Sequence, residues 1–389
     1  MGLMAVAGLV CDAMPGLYVH IPFCERKCAY CDFPSWAGRQ ADAARYLMAL
    51  TREAALWRQE RGPMAFDTVY VGGGTPSLLP AGALEGLFDA LRDTFDLTGV
   101  TEFTVEANPG TVDAAKLASL RRAGANRLSF GVQAAQDELL RRIGRIHTWA
   151  QFVAAVGLAR AAGFTNLSGD MMTGLPGQTA DDAADTAKRL AALGLSHVSC
   201  YGLTLEEGTP LARAVEEGRE TVPDDDAERD SFHRAKAVLL GYGFERYEIS
   251  NFAKPAQACR HNLNYWARGD YLGLGCGAAS HFAGWRRENT ASLDDYLTAV
   301  GQDRLPPGEE HRLSRDEQLF ETVMLALRTS AGLSEKSILS AFGLDFYAKW
   351  RSSIDKLVAQ GLLYRQNGAI ALTERGMDLQ NTVLMEFMG

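Results

Sequence analysis

The sequence predicts an α/β fold: an open, partial (β/α)6 barrel of the TIM type, followed by a C-terminal winged-helix-like α+β domain. Three observations carry this expectation. Short β-like runs alternate with helical segments through the first two hundred residues. Several of the helical segments stop at a glycine, as at Gly124, Gly163 and Gly194, which suits a left-handed helix end. Residues able to do chemistry recur just past the β-like runs, where a βα barrel gathers its ligands.

Taken in order, the expected strands are 17–21, 68–71, 102–106, 127–131, 167–171 and 197–201. Between them, apolar residues at helical spacing predict helices over 43–59, 83–93, 114–123, 152–162 and 183–193. Repeated βα units imply parallel strands joined by right-handed crossovers. Beyond Gly208 the pattern changes. A charged helix is expected over 224–240, a strand over 245–249, and an irregular aromatic- and glycine-rich stretch over 251–285. Pro306-Pro307-Gly308 reads as a linker. Helices over 316–327, 335–341 and 347–360 then precede two strands, 362–365 and 369–372, around the hairpin turn Asn367-Gly368, and a last helix begins at Thr373. The division expected is an extension over 1–15, the barrel over 16–210, a second segment over 211–304 and the C-terminal domain over 305–389.

The 389 residues are 47% hydrophobic and 22% charged, enough for more than one real core. A net charge of −9 argues against broad nucleic-acid binding, and so favours a packing role for the C-terminal domain over a DNA-reading one. Seven cysteines, an odd number without framework spacing, point to a reducing cytoplasm. The apolar start of the chain lacks the basic flank of a secretory signal, and Met14 is the expected true start.

The chemistry begins at Cys24-Glu-Arg-Lys-Cys28-Ala-Tyr-Cys31. A 4Fe–4S cluster ordinarily takes four thiolates, so a C-x3-C-x2-C set holds three irons and leaves one open to a small molecule. Zinc would want a second ligand pair downstream, and none is present. Gly72-Gly73-Gly74 after the second strand permits close backbone approach to a ligand, although it also suits a tight turn. Glu106 ends a strand where a buried carboxylate would need a partner. Arg145 and Asp170 carry the same ambiguity between a site role and a bland one, as a solvated helix-end arginine and a capping strand-end aspartate.

Together these motifs resemble the radical S-adenosylmethionine (SAM) superfamily. The resemblance rests on Leu17-Tyr-Val-His-Ile-Pro-Phe-Cys24, Gly-Gly-Gly-Thr-Pro, Glu106-Ala-Asn-Pro, Gly131-Val-Gln133, Gly-Arg145-Ile-His and Gly174-Leu-Pro-Gly-Gln178. Within it, the chain is similar to the oxygen-independent coproporphyrinogen dehydrogenases (HemN) and the HemW haem chaperones. The resemblance implies a radical SAM barrel in which Cys24, Cys28 and Cys31 hold a 4Fe–4S cluster and SAM chelates its open iron. It implies SAM contacts from Tyr18, Gly73 and Glu106, and a second SAM position lined by Gly74, Thr75, Gln133, Arg145 and Asp170.

Two features separate the branches. The dehydrogenases carry one more cysteine, C-x3-C-x2-C-x-C, where this chain has Phe33. Cys259-Arg-His261-Asn262-Leu-Asn-Tyr265-Trp266 contains H-N-x-x-Y-W, which resembles the HemW signature. His261, Asn262, Tyr265 and Trp266 are the expected haem-binding residues, since imidazole and phenol can ligate iron and an indole can cover a macrocycle. Cys276 and His281 are secondary candidates. The function expected is a haem chaperone passing haem to an acceptor, a respiratory haem protein or cytochrome. Dimer formation and at most peripheral membrane contact go with it. The alternative is a radical SAM enzyme acting on a tetrapyrrole.

Overall fold

The computed structural model describes residues 15–388, so the reading of Met14 as the start falls outside the described residues. The six expected barrel strands are all present. They are β1 (Gly16–Ile21), β2 (Thr68–Gly73), β3 (Glu102–Ala107), β4 (Arg127–Gln133), β5 (Asn166–Thr173) and β6 (His197–Gly202). Each pairs in parallel with the next, from Gly16 opposite Thr68 to Thr173 opposite Gly202. The sheet curls without closing, an open barrel.

Residue alternation explains the layering. Leu17, Val19, Ile21, Val69, Val71, Phe103, Val105, Leu128 and Phe130 face outward into one continuous buried core against the helices. Their neighbours, which face the lumen, are polar: Thr68, Tyr70, Thr104, Glu106, Arg127, Ser129, Ser168 and Asp170. Helices α1 (Ala43–Arg61), α2 (Ala83–Thr94), α3 (Ala114–Ala123), α4 (Trp149–Ala161) and α5 (Ala180–Ala192) cover the outside. Both α4 and α5 start three residues before the apolar periodicity does. Thr148 with Gln151, and Thr179 with Asp182, form reciprocal capping boxes that set those starts.

The second half departs from expectation. Helix α6 (Asp225–Gly241) forms as read, but the strand expected over 245–249 shrinks to Glu245–Arg246, and β7 (Asn251–Ala253) pairs antiparallel with β6 instead. The stretch over 251–285, expected to be irregular, holds α7 (Arg260–Trp266), β8 (Tyr271–Leu274) and β9 (Ala279–Phe282). Strand β8 adds in parallel to the free edge of β1. Its glycines hid it: a Cβ at Gly273 would lie 2.1 Å from the Ala279 carbonyl oxygen, so the close hairpin demands glycine where a strand reading expects bulk. The linker reading of Pro306-Pro307-Gly308 is also corrected. Gly308 opens β11 (Gly308–Arg312), which pairs with β10 (Trp285–Asn289) at the edge of the twelve-stranded sheet.

Helices α8 (Arg315–Leu327) and α9 (Glu335–Phe342) open the C-terminal domain. The helix expected over 347–360 breaks at Trp350, whose ring packs on Phe346 and Phe387, leaving Phe346–Lys349 and α10 (Arg351–Ala359). Strands β12 (Leu363–Gln366) and β13 (Ala369–Leu372) form the wing. Asn367 and Gly368 both take positive φ, 54° and 74°, as a tight hairpin of the right twist requires. The last helix is capped by Thr373 but interrupted at Leu379. This domain has its own core around Val323, Leu327, Ile338, Phe346 and Ile370.

Candidate functional site

The rim formed by the C-terminal ends of the barrel strands opens into a cavity of about 390 Å³ that descends into the lumen. Cys24, Cys28 and Cys31 line its mouth, carried on the loop after β1. All three are free thiols, Cys24 buried and the other two half-buried. Thr75 directs its hydroxyl to Cys24 Sγ at 3.7 Å, and Arg145 Nη1 lies 3.4 Å from Cys28 Sγ. Thiol donors beside a guanidinium suit an anionic iron–sulfur cluster, whose negative sulfurs such donors stabilise. Among the described residues, no three His, Cys, Asp or Glu side chains converge on a point that would hold a single metal ion. Phe33 stands at the mouth, 59% exposed, where it can offer neither ligand nor proton.

Below the mouth, the carboxylate of Glu106 accepts from Tyr70 Oη at 2.8 Å and from the Gly73 backbone N–H at 3.1 Å. Burial raises its pKa to about 7, against the pull of those donors. Gly73 sits at φ 107°, and a Cβ there would press into the His20 ring at 2.5 Å, so the close approach of this loop to the lumen depends on glycine. Gly74 and Thr75 continue the same wall. Asn108 ties it together, donating to Thr75 Oγ1 at 2.9 Å and accepting from Arg145 at 2.6 Å. Arg145 also donates to the Gly131 carbonyl. Gln133 takes a positive φ of 62° at a register shift between β4 and β5, and its side-chain oxygen is buried without a partner. Asp170 accepts from Ser129 and Ser199 hydroxyls, and burial raises its pKa.

The structure therefore brings Gly73, Gly74, Thr75, Glu106, Gln133, Arg145 and Asp170 to one wall with the three cysteines. Tyr18 is not brought there. Its phenol bonds His20 Nδ1 at 2.9 Å and its ring stacks behind Tyr70, which takes the lumen position.

The expected haem residues lie at the opposite end, on α7, which plugs the bottom of the barrel. Glu102 anchors this helix by accepting from the backbone N–H groups of Arg260 and His261, each at 2.9 Å. His261, expected as a haem residue, has both ring nitrogens engaged within the chain. Its side chain is 0% exposed, with Nδ1 2.8 Å from Thr68 Oγ1 and Nε2 2.7 Å from Tyr265 Oη, so neither ring nitrogen is free for iron. Burial, with the charge of Arg127 adding to it, lowers its pKa to about 3, which keeps the ring neutral. Tyr265 is spent on the same bond, and Trp266 is half-buried away from the cavity. Asn262 alone of the motif lines the cavity. Cys276 is buried against Tyr46, and His281 holds the Gly269 carbonyl at 3.1 Å, so both are structural.

The reading of motifs missed Arg127, Tyr70, Asn108, Ser129 and Ser199, which also line the cavity. The signal was available. Polar residues at every second position of buried strands mark a wet interior, and Arg127-x-Ser129 and His197-x-Ser199 carry that alternation.

Comparison with known proteins matches two stretches of the chain to family models. The radical SAM superfamily model matches residues 18–190, and the HemN C-terminal domain model matches 313–379. A protein of Bacillus subtilis (strain 168) named heme chaperone HemW is 35% identical over 97% of this chain and 100% of its own length. The protein of that name in Escherichia coli (strain K12) is 34% identical over 96% of this chain and 97% of its own. A mouse protein, radical S-adenosyl methionine domain-containing protein 1, mitochondrial, is 31% identical over 96% of this chain and 87% of its own. Among solved structures, coproporphyrinogen III oxidase (HemN) from Escherichia coli superposes with a TM-score of 0.83 at 26% identity, covering 96% of this chain and 90% of that one.

Proposed function

This chain belongs to the HemW family of the radical SAM superfamily, and on that premise we propose that it is a haem chaperone, binding haem and passing it to an acceptor protein. The observation that carries the reading is likeness to the HemW proteins along nearly the whole length of both partners, through the barrel, the α7 motif and the C-terminal domain. Cys24, Cys28 and Cys31 would hold a 4Fe–4S cluster, with SAM against Gly73, Glu106 and the wall from Thr75 to Asp170. When bound, such a cluster supplies an open iron that SAM's amino and carboxylate groups can chelate. Around it, the chain's own residues orient and insulate: Arg145 braces Cys28, Glu106 fixes the Gly73 loop, and Asn108 joins the two.

The six described cysteines are free thiols, which supports a reducing compartment, and we place the protein in the cytoplasm. No helix among the described residues is long and apolar enough to cross a membrane. The acceptor would be a respiratory haem protein or cytochrome. Anaerobic reconstitution with iron, sulfide and haem, followed by transfer to an apo-cytochrome, tests the proposal. A Soret band on titration and its reappearance in the acceptor are expected; absence of haem binding overturns it.

A second reading, a radical enzyme acting on a tetrapyrrole, is favoured by the close superposition on coproporphyrinogen III oxidase. Phe33 in place of a further cysteine weighs against that particular reaction. Stoichiometric conversion of coproporphyrinogen under anaerobic turnover would install it over the chaperone reading.

A further inference from the structure

The floor of the lumen carries a positive charge that no carboxylate among the described residues contacts by a hydrogen bond. Arg127 opens β4 at the bottom layer of the barrel and lines the cavity, yet is only 2% exposed. Buried guanidinium groups ordinarily pair with a carboxylate. Among the described residues, Arg127 makes one side-chain hydrogen bond, from Nη1 to Thr104 Oγ1 at a long 3.5 Å, and its Nε has no partner.

The neighbouring carboxylates are committed elsewhere. Glu102 accepts from the N–H groups of Arg260 and His261 and from the Cys259 thiol. Asp170 accepts from two serine hydroxyls, and Glu106 from Tyr70 and Gly73. His197, the other basic group on the floor, has both nitrogens bonded, to Ser168 and Tyr247. Beside this unpaired cation α7 presents Asn262, half-buried and lining the same cavity, and none of the side-chain hydrogen bonds of that helix uses its amide. Donors therefore converge on the lumen floor from a strand and from the plug helix, and among the described residues no carboxylate is hydrogen-bonded to Arg127.

We infer that Arg127 and Asn262 form a carboxylate-binding floor that anchors an acidic substituent of whatever molecule fills the lumen. A guanidinium offers two parallel N–H groups matched to a carboxylate, and the amide adds a third donor. On the haem reading, the ligand group is a propionate of the tetrapyrrole, entering the lumen edge-first. The strand rise from Gly131 down to Arg127 is about 13 Å, so the floor lies well below the cysteine rim. The identity of the ligand rests on the haem proposal, whereas the existence of an anion site does not. The inference also gives the H-N-x-x-Y-W motif a division of labour: His261 and Tyr265 lock the plug, and Asn262 faces the cargo.

The test compares haem with haem dimethyl ester, which lacks the two carboxylates, on reconstituted wild type, Arg127→Gln, Arg127→Lys and Asn262→Ala. A charge-assisted bond at a desolvated site predicts a wild-type preference for the free acid of about tenfold or more. Arg127→Gln should bring that preference to within about twofold while leaving affinity for the ester unchanged, and Arg127→Lys should retain part of it. A preference that survives in Arg127→Gln, or an equal loss for acid and ester, overturns the proposal. Should Arg127→Gln not fold, the other two variants decide, since each must lower the acid-to-ester ratio. If wild type binds neither porphyrin, the haem proposal fails by itself, and sodium propionate decides the floor. A melting-temperature rise above that in equal sodium chloride, reduced in Arg127→Lys and Asn262→Ala, keeps the anion site, and no rise removes it.

Discussion

At the scale of single residues, buried carboxylates dictate how the protein answers pH. Glu53 of α1 is fully enclosed, accepting from the Gly275 N–H, Asn289 Nδ2 and Tyr296 Oη, and burial raises its pKa to about 7. A carboxyl whose folded pKa exceeds its unfolded one binds its proton more tightly when folded. Its stabilising contribution is present below about pH 4.5 and is lost as pH rises through about 7. Melting temperature against pH between 5 and 8 should therefore fall less steeply in Glu53→Gln than in wild type, whatever the variant's absolute stability. Gly73→Ala should cost roughly 1–3 kcal/mol, because it forces a side chain into left-handed backbone and against His20. Denaturant unfolding measures that cost, and SAM titration should weaken in parallel. The cysteine triplet announced itself in the sequence because its spacing carries meaning alone, whereas the glycine run gained meaning only from its place beside that triplet. Arg127 did not announce itself, since a strand-opening arginine is ordinarily a surface residue and only the lumen, plugged below by α7, makes it a buried one. The surroundings of His261 were illegible for a related reason, since Thr68, which meets its Nδ1, lies nearly two hundred residues away in sequence.

At the scale of elements, periodicity located all six barrel strands and left the helix starts to capping chemistry. Thr179 accepts from the Asp182 N–H and Asp182 returns the bond, so α5 begins before its first buried face does. Thr179→Ala should lower global stability by about 1 kcal/mol, and hydrogen exchange should localise the loss to the first turn of α5. The strands over 271–289 were illegible for a physical reason. They complete a sheet whose free edge, β1, lies about 250 residues earlier in the chain, and their glycines are set by backbone approach rather than by side-chain pattern. Non-local pairing of that kind leaves little trace in a local window.

At the scale of the whole molecule, ion pairs and backbone hydrogen bonds tie the C-terminal domain to the rest, Ser330 N–H donating to the Tyr247 carbonyl at 3.0 Å. Asp378 of the C-terminal domain accepts from Arg229 and His233 of α6, Glu374 pairs with Lys236, and Arg286 reaches Glu321. Pairs of this exposure contribute little each. Asp378→Asn with Glu374→Gln should thus raise amide exchange along α6 and over 374–378 while leaving iron incorporation at Cys24, Cys28 and Cys31 intact, as native exchange and iron analysis would show. Among the described residues the barrel is stoppered below by α7, with Cys259 and His261 sealed, and opens past the cysteine rim, where Tyr201, Thr204 and Phe33 meet solvent. A vessel with one door imposes a queue. On the proposed function, a molecule resting on the floor would have to pass the cysteine rim both on entry and on exit, so occupancy of that rim would set its residence time.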